Sequence, residues 1–112
     1  MLFHIAHGSD WSAASTARAY VVGSFETEGF MHLSTRDQFM VTAGRYYVGV
    51  EDLVLLEIDD AVLDPELLRF ETSTNDELFP HYYAPLPREA IVCVHRFPCR
   101  PDGGFDRPGS VS

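Results

Sequence analysis

Glu28-Gly29-Phe30-Met31-His32-Leu33-Ser34-Thr35 is the stretch on which the reading of this chain turns. A glycine opens a short strand, and alternation along it places Phe30, His32 and Ser34 on one side and Met31 and Leu33 on the other. A polar group thus stands on a face that the rest of the chain must satisfy or use. Ser34-Thr35-Arg36-Asp37 has the spacing of a capping box, so a helix is expected to follow directly. Phe39, Ala43, Tyr46, Tyr47 and Val50 would form its apolar stripe, and Gly49 its end.

Outward from this stretch, Leu2 to Ala6 reads as a strand with Phe3 and Ile5 on one face and His4 between Leu2 and Ala6 on the other. Ser9 or Asp10 is placed to cap a short helix running to about Arg18, with Trp11 as its apolar anchor. Tyr20-Val21-Val22 suggests a short strand. Leu53 to Asp59 is a near-continuous apolar run, expected as a central strand. Asp64-Pro65-Glu66 marks a turn, and Leu68 to Thr72 another strand with Arg69 and Glu71 on one face.

Phe79 to Pro87 holds three prolines and three aromatic residues in nine positions, and reads as a stiff loop fixed by proline rather than by a ladder. Ala90 to Phe97 is a last strand, apolar on both faces. Strands interleaved with two main helices give a single α+β domain over residues 1–98, with a mixed or antiparallel sheet. Residues 99–112, rich in Pro, Gly and Asp, read as a flexible C-terminal tail.

Composition narrows the function. The 112-residue chain carries a formal net charge of -9, and all eight basic residues are arginine. Without lysine there is neither Schiff-base chemistry nor a P-loop lysine. An acidic chain without a basic patch is a poor match to nucleic acid. No apolar run reaches the ~18 residues of a membrane span, and Met1 to Ile5 shows no basic n-region, so a cytosolic protein is expected. Gly8, Gly23 and Gly29 form no dinucleotide fingerprint. Cys93 and Cys99 are six apart, which indicates neither a zinc knuckle nor a redox pair, and Cys93 reads as core. No metal site is expected on this basis.

Five histidines are more than packing needs in so short a chain. His4, His32 and His81 lie in ordered stretches with Ser34, Gln38, Glu71 and Tyr83 as polar companions. His7 and His95 are unremarkable. Structural roles compete with functional ones: His4 as a hydrogen-bonded interior histidine, Ser34 as a helix cap, Glu71 in an arginine pair, His81 locking its loop.

The strand with His4, Trp11, the Glu28 to Thr35 stretch, Gln38, Leu53 to Asp59, Glu71, and Phe79-Pro80-His81-Tyr82-Tyr83-Ala84-Pro85-Leu86 together resemble a small bacterial family catalogued only as a domain of unknown function, number 952. The resemblance runs from Phe3 to about Val94, with Ala84 and Met31 as departures from its usual residues. It implies a fold similar to the ADP-ribosyltransferases, whose cleft holds NAD. The interval from His4 to Trp11 and the run His32-Leu33-Ser34 are similar to motifs of poly-ADP-ribose polymerases and tRNA 2′-phosphotransferases, while Ile5 stands where those enzymes have glycine and no Glu-x-Glu pair is present.

That resemblance implies a protein handling NAD or a nucleotide, with NAD as the cofactor to test and a small-molecule or nucleotide ligand as partner. His32, Glu71 and His81 are the expected catalytic residues, and His4, Ser34, Gln38 and Tyr83 the expected binding residues. Two alternatives stand beside it: a ligand-binding or regulatory module without turnover, and a hydrolase or lyase using His4, His32 and His81 as metal ligands.

Overall fold

Alternation in the first strand divides the molecule in two. In the computed structural model, which describes residues 1–14, 19–21, 25, 28–72, 76–109 and 111, strand β1 (Leu2–His7) sends Phe3 and Ile5 into one core and Leu2 and Ala6 into another. β1 pairs antiparallel with β4 (Leu53–Ile58), which pairs antiparallel with β8 (Ile91–Arg96), giving the order β1-β4-β8. The apolar run at 53–59 is the middle strand, as its sequence requires. Helix α2 (Phe39–Tyr46) packs Phe39 and Ala43 onto the Phe3 face with Leu55 and Phe97. The opposite face packs Tyr20, Met31, Leu33, Leu56, Ile58 and Leu86.

A second antiparallel sheet has the order β3-β6-β5, from β3 (Met31–His32), β6 (Leu78–Tyr82) and β5 (Leu68–Thr72). A third is the pair β2 (Ala19–Tyr20) with β7 (Leu86–Pro87). Single 3₁₀ turns cover Asp60–Val62 and Arg88–Ala90. Among the described residues no helix is long and apolar enough to cross a membrane.

Several sequence expectations change. The proline-rich segment is not a loop held by proline: Leu78–Tyr82 is the middle strand of its sheet, with Pro80 inside it. Pro80 accepts from the Leu33 N–H at 3.0 Å, and its missing N–H faces Leu33, one residue past the end of β3, so a single ladder bond is lost.

The helix does not start at Ser34. Ser34 exchanges both backbone bonds with Phe3, at 2.8 and 2.7 Å, which holds it in an extended bridge. The helix therefore begins only at Phe39, and the Thr35 N–H is taken by the Gln38 side chain at 3.0 Å.

The first helix, α1 (Gly8–Ala13), carries no side-chain cap of its own. Asp52 supplies one from β4's approach, accepting from Gly8 N through its carbonyl and from Ser9 N through its carboxylate. A Cβ on Gly8 would collide with that carboxylate. Residues 15–18 and Val22 lie outside the described residues, so the expected helix end and the end of the 20–22 strand do too.

Trp11 is half-buried against the Leu56 core, with the Arg88 guanidinium 4.5 Å from its ring. Cys93 is exposed and Cys99 is the buried cysteine. β8 is an edge strand, so Val92 and Val94 face solvent rather than a second core layer.

The segment expected as a flexible tail makes packing contacts through three of its described residues. Phe105 stacks on Phe97 at 5.1 Å, Arg107 lies 4.7 Å from the Phe39 ring, and Val111 is 4% exposed. Aperiodic Pro-Gly sequence hid three anchors that need no regular backbone.

Candidate active-site cleft

The two larger sheets meet at one point and then separate. Because Phe3 bonds Ser34 through both its N–H and its C=O, that edge of β1 faces β3, and by alternation Ile5 and His7 turn their N–H and C=O the same way. Continuing this register would pair Ile5 with His32. Instead, the His32 carbonyl accepts a 2.7 Å bond from His4 Nδ1. An imidazole occupies the place of the next ladder bond, and the strands part.

The gap is a cleft of about 520 Å³ lined by residues 4–7, Asp10, His32–Ser34, Thr42, Tyr46, Tyr47, Phe79 and His81. Its size suits a small ligand. Of the residues singled out from sequence, His4, His32, Ser34 and His81 line it, whereas Glu71, Gln38 and Tyr83 do not.

His4 is buried, and donation from Nδ1 fixes its tautomer, leaving Nε2 as an acceptor. Burial pushes its pKa down to about 4, so it is neutral near pH 7. His4 Nε2 and the Tyr20 hydroxyl are buried side-chain atoms without a protein hydrogen bond, and the two rings meet edge-on at 5.7 Å.

Gly29, at φ +82°, makes the turn into β3, and Phe30 follows it. Phe30 stacks on His81 at 4.3 Å and meets His32 at 4.8 Å. His32 is 54% exposed at the cleft mouth, paired with Glu28 and 5.2 Å from the His81 ring.

His81 is buried, its Nδ1 2.9 Å from Glu71 Oε1, and the same oxygen accepts from the Tyr83 hydroxyl at 2.5 Å. Those two bonds, with the nearby Arg69, hold the Glu71 carboxyl below its usual range, and the Tyr83 hydroxyl is pushed up in return. Glu71 thus stands behind His81, orienting the ring so that Nε2 is left for the cleft.

Gln38 donates to Leu78 O at 2.7 Å and to Glu77, tying the α2 approach to β6. Ser34 Oγ lies 3.4 Å from Thr42 Oγ1. The set missed by sequence reasoning is His7, Asp10, Thr42, Tyr46, Tyr47 and Phe79. Tyr46 belongs to the apolar stripe read from the sequence, yet in the structure it is the exposed member, because it faces the cleft and not the core. Among the described residues His4, His32 and His81 are not brought together as a set of three ligand atoms.

Residues 5–94 match the family described as "Protein of unknown function (DUF952)". The chain belongs to that family. The crystal structure of CC0527 from Caulobacter crescentus is similar at 28% identity with a TM-score of 0.84, covering 94% of this chain and 92% of that one. The solution NMR structure of CC0527 is similar at 28% identity and a TM-score of 0.79, covering 97% and 93%. No curated protein matches the chain. The similarity to these solved structures supports the α+β fold.

Proposed function

We propose that this DUF952 chain is a small cytosolic protein that handles NAD or a nucleotide, holding the neutral amide or base end of its ligand between β1 and β3. The observation that carries the reading is the parting of those strands at the His4 to His32 bond. It leaves the Ile5 N–H and C=O facing the cleft, a donor and acceptor pair of the kind a carboxamide or a base edge can match, while the His32 carbonyl stays with His4. His4 serves the site through its Nδ1 bond to His32, since its Nε2 is buried beside Tyr20. Phe79, Tyr46 and Tyr47 offer aromatic surface to a planar ring.

No arginine lines the cleft among the described residues, so phosphates belong at its mouth rather than inside. The ADP-ribosyltransferase resemblance read from the sequence implies the same orientation, with nicotinamide innermost. In this reading Ile5 serves through its backbone, a role its side chain does not abolish. Turnover would use His81, oriented by Glu71, as the base for a bound hydroxyl or water, with His32 at the mouth.

A binding module without turnover is the second reading, favoured by one observation: Glu71 is engaged with His81 and Tyr83 and does not line the cleft. Calorimetry with nicotinamide, NAD, ADP-ribose and AMP, paired with an assay for nicotinamide release, separates the two. Binding of nicotinamide and NAD with release supports an enzyme, and binding without release supports the module. Failure of all four ligands to bind contradicts both.

A further inference from the structure

β4 and β8 bring together three side chains that sequence spacing keeps apart. Glu57 and Cys93 are direct cross-strand partners, and His95 follows Cys93 by two residues, so all three stand on one face of the sheet. Their ligand atoms lie within 4.8 Å of one another. His95 Nε2 is 3.0 Å from Glu57 Oε1 and Cys93 Sγ is 3.9 Å from the other ring nitrogen, Nδ1, so one of the two nitrogens serves as the ligand. A tetrahedral ion with bonds of about 2.0–2.3 Å spaces its ligands by about 3.3–3.7 Å, which small side-chain rotations reach from here.

The strand is also irregular at this point. The pairing steps from Glu57 with Cys93 to Ile58 with Ile91, leaving Val92 as an extra residue on β8. Such a bulge re-aims the neighbouring side chains and recurs beside functional sites. The His95 side chain is 9% exposed and the Glu57 side chain 19%, while Cys93 is exposed. Two donors are thus held in place, and the third is open to solvent.

We propose that Glu57, Cys93 and His95 form a binding site for a zinc-class divalent transition ion. Thiolate, imidazole and carboxylate make a borderline-soft donor set that suits zinc or cobalt better than magnesium or calcium. The two anionic donors balance the charge of a divalent ion. Three protein ligands leave a fourth position to water, the pattern of an exchangeable rather than a sealed structural site. On binding, the ion replaces the Cys93 thiol proton and any proton shared between His95 and Glu57, and both leave to solvent.

The test is titration of chelator-treated protein with Co²⁺, read by absorbance, followed by Zn²⁺ competition. One equivalent of Co²⁺ should bind with a thiolate-to-metal charge-transfer band that Zn²⁺ abolishes. Cys93→Ser, at an exposed position that keeps the fold, should remove the band and weaken Zn²⁺ at least tenfold. His81→Gln should leave both unchanged. Zn²⁺ should also slow alkylation of Cys93 in the wild-type protein. Absence of binding, Co²⁺ binding without a thiolate band, or a band that survives Cys93→Ser would overturn the proposal.

Discussion

The His4 imidazole takes the His32 carbonyl at 2.7 Å, where a continued sheet would have given that carbonyl to the Ile5 backbone. A side chain on β1 thereby stops the ladder between the two larger sheets after one bridge. The exchange holds His32 at the mouth of the cleft and leaves His4 with a buried acceptor.

Stability should carry the mark of His4. Its pKa is about 4 when folded against 6.5 when free, so between those values the unfolded chain takes up a proton that the folded protein refuses. The contribution is fully present above pH 6.5 and is lost as pH falls toward 4. Its size is about 3 kcal/mol, from ~1.4 kcal/mol per pKa unit. Urea unfolding at a series of pH values should show this slope, and His4→Gln should flatten it. An unchanged slope in the variant would place the titration elsewhere.

Removal of the chain after Cys99 should destabilise by about 3 kcal/mol, the scale expected for one buried valine and a partly buried phenylalanine. Val111 and Phe105 are the two apolar side chains that such a truncation withdraws from the Phe3 core. Chemical unfolding of the truncated protein checks this, and a midpoint equal to the full chain's would show that the segment contributes nothing.

Gln38→Ala should cost about 1–3 kcal/mol, because it orphans the Thr35 N–H and cuts the bond to Leu78 O. Ligand affinity should stay within about twofold, since Gln38 does not line the cleft. Thermal unfolding and calorimetry on the same sample separate the effects.

Glu71→Gln tests the positioning of His81. Replacing the carboxylate that bonds His81 Nδ1 and Tyr83 should free the ring's tautomer, visible in imidazole ¹⁵N shifts, and weaken the cleft ligand by about tenfold. A ring signal unchanged from wild type would mean that Glu71 does not orient His81.

The strands marked by alternation or by an apolar run are legible in the sequence: β1, β4, β5 and β8 fall where their patterns put them. What escapes depends on partners distant in sequence. Pro80 argues against a strand until Leu33 shows which bond is dispensable. Ser34 has a cap's spacing, but its backbone is committed to Phe3. His32, His81, Glu71 and Tyr83 stand out as residues from the sequence alone, and the structure brings them together. The division between those on the cleft and those behind it is not readable there, because it depends on the pairing of β5 with β6. Cys93 reads as core because its strand is apolar, and only the edge position of β8 exposes it.

Backbone amide shifts during a nicotinamide titration decide whether the gap between β1 and β3 is the ligand site. The largest changes are expected at Ile5, His7 and His32, with smaller ones at Ser34 and Thr42, and their loss in a Thr42→Phe variant that fills the cleft. Shifts confined to other strands, or none at saturating nicotinamide and NAD, would contradict that assignment.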